Sequence, residues 1–224
     1  MGLIYAGVPE PVVQKILMHF PIENFVETGT YVGDTAFWAS RYFKNVFTIE
    51  KSPPLWEKAR NKYRDVQNIN FLFGDSGEIL RKIKPQLNTP AMFWLDAHWS
   101  GGMTYGEGDE CALLRELEAI IDIDQNNFIL IDDARLFLLP PPRPHSATDW
   151  PNIGQITGMF GKTDRYYTVV IDDVIVASPK VARPVLLEFY QDCATVQWES
   201  WQTKNRIQKQ NWFSGYINRL RQRK

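Results

Sequence analysis

Carboxylates recur at one kind of place in this sequence. Glu27, Glu50, Asp75, Asp96 and the pair Asp132-Asp133 each close a short apolar run or stand in the turn just after one. If those runs are neighbouring strands, the acids converge on a common rim, where cations or hydroxyl donors must neutralise them. Two kinds of chemistry follow. Behind Glu27 the glycines stand as Gly29-x-x-x-Gly33, within Glu27-Thr28-Gly29-Thr30-Tyr31-Val32-Gly33-Asp34-Thr35. A dinucleotide fingerprint wants G-x-G-x-x-G. The spacing here suits a nucleoside-type ligand without a pyrophosphate, because an acid at the strand end repels phosphate and attracts an ammonium group. Glu50, at the end of the next apolar run, is placed to accept hydrogen bonds from ribose hydroxyls, and Asp75 with Ser76 to meet an adenine edge. Asp96, Asp132 and Asp133 are hard oxygen donors that suit Mg²⁺, an ion that keeps open positions for substrate oxygens. Such an ion lowers the pKa of a bound hydroxyl, and fixing a nucleophile in line supplies about 7–11 kcal/mol of a barrier. His98, two places past Asp96, is the candidate general base, with an unperturbed pKa of about 6.5. The competing reading is that Asp132-Asp133 caps the next segment, Asp96 is a lone loop acid and His98 is structural. His19, on a helix, and His145, in a polar insertion, carry no assigned role.

The elements that must position these groups alternate. Residues 9–20 carry apolar residues at helical spacing behind Pro9 and Pro11. Apolar runs at 25–27, 46–50, 69–73, 91–96 and 128–132 read as buried strands. Helices are expected at 35–43, from Pro53 through Tyr63, at 77–84 with Ser76 as cap, and over 111–121. Continuous apolar strands alternating with helices mean a parallel sheet covered on both faces. Ligands of such sheets bind beyond the carboxyl ends of the strands, where the order switches. The glycine-rich stretch from Trp99 to Gly106 is expected as a mobile lid, and the proline-rich segment from Leu138 with the polar 145–153 as an insertion walling the site. Residues 166–177 read as a β-hairpin turning on Asp172-Asp173, a poorer turn pair than Asp-Gly. From Lys180 onward the chain reads as helical and polar, with Trp198, Trp201, Trp212, Phe213, Tyr216, Ile217 and Leu220 as docking residues.

At 224 residues the chain fits one domain: a core over about 22–179, an N-terminal helix in 1–21 and a helical extension over 180–224. Its 26 acidic and 25 basic residues nearly cancel, which argues against a nucleic-acid partner. Arg219, Arg221, Arg223 and Lys224 crowd one end, a pattern that a helix macrodipole favours. Cys111 and Cys193 are too few for a disulfide framework. No signal peptide or membrane-length apolar run is legible, so a cytoplasmic protein with no membrane partner is expected.

In this order, Glu27 to Gly33, Thr48-Ile49-Glu50, Gly74-Asp75-Ser76, Leu95-Asp96-Ala97-His98-Trp99 and Leu130-Ile131-Asp132-Asp133 resemble the class I S-adenosylmethionine-dependent methyltransferases. Among these the chain is most similar to the cation-dependent O-methyltransferases of the catechol and macrocin-type sugar groups. The resemblance covers roughly Phe25 to Ser178. It implies a Rossmann-like, doubly wound, mostly parallel seven-stranded sheet with an antiparallel C-terminal hairpin strand. It implies S-adenosylmethionine as cofactor, held by Glu27, Thr28, Gly29, Thr30, Tyr31, Gly33, Thr35, Glu50, Lys51, Gly74, Asp75, Ser76 and Asp96. Asp96, Asp132 and Asp133 would hold Mg²⁺, and Asp96 and His98 would serve catalysis on a hydroxyl of a small molecule or sugar. The catechol-type lysine and the sugar-type acid after the first aspartate are replaced by Ser100 and His98. A cofactor-binding interaction protein and a metal-independent methyltransferase remain alternatives, and a homodimer is left open.

Overall fold

The computed structural model describes residues 7–99 and 108–221, with side chains through residue 207. The glycine-rich stretch expected as a lid falls mostly outside the described residues, as do Arg223 and Lys224. Residues up to Arg183 form one compact unit and those from Pro184 onward a second.

In the first unit seven strands make one sheet in the order β3-β2-β1-β4-β5-β7-β6. They are β1 (Asn24–Thr28), β2 (Asn45–Glu50), β3 (Ile69–Phe73), β4 (Ala91–Leu95), β5 (Phe128–Ile131), β6 (Tyr166–Ile171) and β7 (Val174–Pro179). The first five are parallel, and β7 runs antiparallel to both β5 and β6. The helices of this unit are α1 (Glu10–Leu17), α2 (Asp34–Ala39), α3 (Pro53–Lys62), α4 (Ser76–Ile83), α5 (Leu113–Ile120), α6 (Arg135–Leu138) and α7 (Ile153–Gly161). This is the parallel sheet expected from the alternation of strands and helices, in the Rossmann-like, seven-stranded form that the resemblance implied.

Every residue of β1, β4 and β5 is buried, because covering a parallel sheet on both faces leaves no polar side for alternation to mark. On one face Val26, Phe93, Leu95, Ile129 and Ile131 pack with Leu80 of α4 and Leu113, Leu117 and Ile120 of α5. On the other, Phe25 meets Phe43 and Trp38 at ring-centroid distances of 5.1 and 6.4 Å. The β6–β7 hairpin turns at Asp172 and Asp173, whose φ angles of 48° and 69° are both positive. Such a turn matches the right-handed twist of the strands, and Asp tolerates the left-handed region better than most residues. Among the described residues no helix is long and apolar enough to cross a membrane.

Candidate functional site

β1 and β4 lie side by side, with Glu27 opposite Trp94 and Thr28 opposite Leu95. From β1 the chain winds outward through β2 and β3, then returns to β4 and winds the other way. Their carboxyl ends therefore flank the switch point, the position at which ligands of such sheets bind. The turn after β1 is built for close approach. Gly29 has φ 82°, and a Cβ there would stand 2.5 Å from the Asp96 carbonyl oxygen. No L side chain fits both conditions. The N–H groups of Gly29 and Thr30 donate to the Ile49 carbonyl at 2.9 and 3.2 Å. Gly33, also at φ 82°, stands at the start of α2, and a Cβ there would press on the Tyr63 ring at 3.1 Å.

Three acids line this turn and the ends of β2 and β3. Glu27 is 2 % exposed and accepts from the Thr48 hydroxyl at 2.5 Å. Burial, aided by the charges of Asp96 and Glu50, pushes its pKa up to about 8 against the pull of the Thr48 and Thr35 hydroxyls. A carboxyl in that state is a ready counter-ion for an arriving cation. Glu50 accepts from the backbone N–H of Tyr31 at 2.9 Å on one oxygen and of Ser52 at 2.8 Å on the other. These bonds fix its plane and leave lone pairs for ligand hydroxyls. Asp75, not Ser76, caps α4, accepting from Glu78 N–H at 3.3 Å. It also pairs with Lys51 at 3.2 Å. Burial alone would raise Asp75, but Lys51 and the cap bond outweigh it and hold it low. Gly74 precedes it at φ 141°, and Ser76 is buried at the first position of α4. This set fits an aminoacyl nucleoside: an acid awaiting an ammonium, a fixed carboxylate for hydroxyls and a capped acid beyond.

The second cluster sits at the ends of β4 and β5. Asp96 N–H donates to the Thr28 carbonyl at 3.2 Å and Asp132 N–H to the Leu95 carbonyl at 3.1 Å, carrying the ladder one step past the strands. Asp133 has φ 55°, and its N–H is caught by the Asp132 carboxylate at 2.8 Å. Between these acids lies the His98 ring, 8 % exposed, with Nε2 2.8 Å from Asp133 Oδ2 and Nδ1 3.6 Å from Asp96 Oδ1. Burial by itself would lower the His98 pKa, but the bond to Asp133 and the charges of Asp96, Asp133 and Asp132 outweigh it and raise it. Asp133 is held at about 2: burial would raise it, and His98 and Arg135 overcome that. Asp96 and Asp132 move upward, chiefly through burial.

The three aspartates expected to hold Mg²⁺ do come together, yet as a donor set they do not fit the ion. Asp133 gives one oxygen to His98 and the other to Arg135, at 2.6 Å. One Asp132 oxygen is turned to the Asp133 N–H. Among the described residues no group of three His, Cys, Asp or Glu side chains is arranged to hold a metal. Protein cations meet the negative charge instead.

Several participants escaped sequence reasoning. Arg135 also pairs with Asp173, whose carboxylate accepts the Arg135 N–H at 2.9 Å while its carbonyl accepts Ala134 N–H at 2.8 Å. The hairpin tip is thereby fastened to the segment after Asp133. The signal was topological: a strand antiparallel to β5 begins where β5 ends, so its turn must lie at the acid rim. Glu110, buried, binds His145 Nδ1 at 3.0 Å, Ser146 N–H at 2.9 Å and the Trp150 indole N–H at 2.7 Å. Its own carbonyl accepts Trp99 N–H at 2.8 Å. His145, given no role from sequence, thus ties the insertion to the segment after β4, and the His98 and Trp150 rings stand 5.3 Å apart.

No family model and no curated protein matches the chain. Solved structures do. A putative caffeoyl-CoA O-methyltransferase from Staphylococcus aureus is similar with a TM-score of 0.55 at 13% identity, over 76% of this chain and 81% of that one. An O-methyltransferase from Bacillus cereus in complex with SAH gives 0.51 at 16%, over 77% and 82%. The SAH-bound Podospora anserina methyltransferase PaMTH1 gives 0.50 at 17%, over 77% and 89%. At these identities the likeness is one of fold.

Proposed function

On this class I S-adenosylmethionine-dependent methyltransferase fold, we propose that the chain methylates a hydroxyl of a small molecule or sugar. When bound, S-adenosylmethionine supplies a methyl group activated by a positive sulfonium. Glu27 receives the ammonium of its amino-acid end, with Thr28, Gly29, Thr30, Gly33 and Thr35 shaping the turn around it. Glu50, oriented by the N–H groups of Tyr31 and Ser52, receives the ribose hydroxyls. Asp75, Ser76, Lys51 and Gly74 border the base.

The observation that carries the reading is the placement of His98 between Asp96 and Asp133. Because Asp133 is ionised, the proton between them sits on His98 Nε2, which leaves Nδ1 as the nitrogen that accepts. Nδ1 would take the proton of an acceptor hydroxyl placed beside it, and the bound cofactor would supply the activated methyl group for that oxygen. Asp96 and Asp133 then stabilise the imidazolium formed. Proton transfer of this kind contributes about 10²–10⁴-fold. Arg135 and Asp173 act as positioning residues, through Asp133. The insertion around His145 and Trp150 supports a wall of the acceptor site.

The test is methyl transfer from labelled S-adenosylmethionine to a panel of phenols, diols and sugars, beside calorimetry with the demethylated cofactor. His98→Ala is expected to lower turnover about 10²–10⁴-fold with cofactor affinity kept. Full turnover in that variant would rule out the base, and absence of cofactor binding in the parent protein would rule out the whole reading. A metal-assisted version of the reaction is tested in the same assay. With Asp133 committed to His98 and Arg135 and one Asp132 oxygen to the Asp133 N–H, chelator is expected to leave turnover unchanged, and its abolition would restore the metal role.

A further inference from the structure

Glu116 has no role in the site described above, yet its place in α5 is an unusual one for an acid. Positions 113, 116, 117 and 120 recur at the spacing of a core-facing helical stripe, and all four are buried, Glu116 to 1 % exposure. An ionisable group in such a stripe needs partners. Glu116 finds them at the rim of the cofactor site. The first turn of α4 lies directly on α5, so that a Cβ on Gly77 would stand 3.2 Å from the Arg115 Cβ. Ser76, one residue earlier, thereby reaches the Glu116 carboxyl, and Thr28 reaches it from the end of β1. Both hydroxyls donate. Burial pushes the Glu116 pKa up to about 7 against the pull of these two bonds, and the Thr28 hydroxyl oxygen also accepts Asp96 N–H at 3.3 Å. The remaining carboxyl oxygen, Oε1, is buried without a partner among the described residues.

A buried carboxyl with one oxygen left over is a weak device for stability, because an apolar side chain of similar volume would carry no such cost. What its bonded oxygen does is fix hydrogens. With its own hydrogen turned inward to Glu116, the Ser76 hydroxyl can only accept from a ligand. Asp75, held ionised by Lys51 and the α4 cap, is an acceptor as well. Two neighbouring acceptors call for a donor between them. The exocyclic amino group of adenine supplies hydrogens there, whereas an oxo group in its place would meet their lone pairs. We propose that Glu116 is a positioning residue that acts through Ser76 and makes the nucleobase end of the cofactor site selective for an amino-bearing purine over an oxo-bearing one. This rests on the cofactor placement given under the proposed function and adds to it the residue that sets base selectivity.

The test is calorimetry of the full-length protein with S-adenosylhomocysteine and with S-inosylhomocysteine, in which an oxo group replaces the amino group. The parent protein is expected to favour the adenine form about tenfold or more. Glu116→Leu frees the Ser76 hydrogen to turn toward the ligand and should shrink that preference about tenfold. Glu116→Met, which adapts to the same space, gives the same reading should Leu not fold. Glu116→Gln keeps an oxygen for both hydroxyls and should keep the preference. Ser76→Ala should shrink it as Glu116→Leu does, with no further change in the double variant. A Glu116 that only supports the fold would lower the melting temperature and both affinities together. An unchanged preference in Glu116→Leu and Glu116→Met, or in Ser76→Ala, therefore overturns the proposal and leaves the methyl-transfer reading standing. Equal binding of the two forms by the parent protein also overturns it. A parent protein that binds neither form overturns the methyl-transfer reading, and this inference with it.

Discussion

Around His98 each proton can be placed from its neighbours. The His98–Asp133 contact holds the imidazole above its ordinary pKa and the carboxyl below its own. The stabilisation from the raised imidazole is complete below about 6.5 and fades as pH rises through the folded value. That from Asp133 is complete above about 3.9 and fades as pH falls toward about 2. Between these limits the ion pair is intact. Turnover needs neutral His98, so the rate is expected to rise with pH through an inflection above 6.5. Asp133→Asn tests this with little backbone cost, because Asn tolerates the left-handed φ of this position as Asp does. A pH profile should show the inflection moved down and the plateau about 10²-fold or more lower. Glu27 works in the opposite sense. With its carboxyl raised to about 8, the folded protein holds a proton that the unfolded chain loses near 4.5, so ligand-free stability falls as pH rises through that window. Glu27→Gln should therefore stabilise the ligand-free protein at pH 8 by about 2 kcal/mol, within the ~1.4 kcal/mol per pKa unit such shifts allow. It should also weaken cofactor binding about tenfold. Thermal melts at two pH values and calorimetry check both.

The elements explain why these side chains meet. The β1 turn can approach Asp96 only because position 29 lacks a Cβ. Gly29→Ala combines a strained φ with a 2.5 Å clash against backbone, so it should cost about 2–4 kcal/mol of stability and abolish cofactor binding. Retained affinity would show that the turn moves freely. At the other end of the rim the β6–β7 tip is held by Asp173 to Arg135. Asp173→Ala leaves Arg135 and its N–H without that partner, at a cost of about 1–3 kcal/mol. Turnover should fall several-fold with cofactor affinity unchanged, as expected of a group acting through Asp133. Asp172-Asp173 read as a poor hairpin pair because turn preference weighs only φ. The missing consideration was the cation waiting beside the turn.

At the scale of the molecule, one strand order places both clusters at the same carboxyl edge of the sheet. Beyond β3 the chain crosses back to β4 instead of continuing outward, so the glycine turn after β1 and the acids after β4 and β5 become neighbours. Arg135, Asp173, Glu110 and His145 then complete the rim from segments far apart in sequence. The same assembly commits Asp133 to Arg135 and His98, sets Asp96 beside His98 and turns one Asp132 oxygen to the Asp133 N–H, partners that residue types alone do not list. Residues from Pro184 onward form a unit of their own.

What the sequence by itself determined is what depends on local order: apolar runs that must be buried, glycines at turns that need positive φ, and acids at strand ends. These read out the parallel sheet, the antiparallel hairpin and the candidate residues of the crevice. Only the tertiary structure decided which partner each acid takes. Glu27 is left buried beside hydroxyls, Asp75 takes Lys51 and the α4 cap, and Asp133 takes His98 and Arg135. The reason is physical: a carboxylate's state is set by whatever donors and low-dielectric surroundings lie within a few ångströms of it. Chain order does not list those neighbours until the strands have been placed side by side.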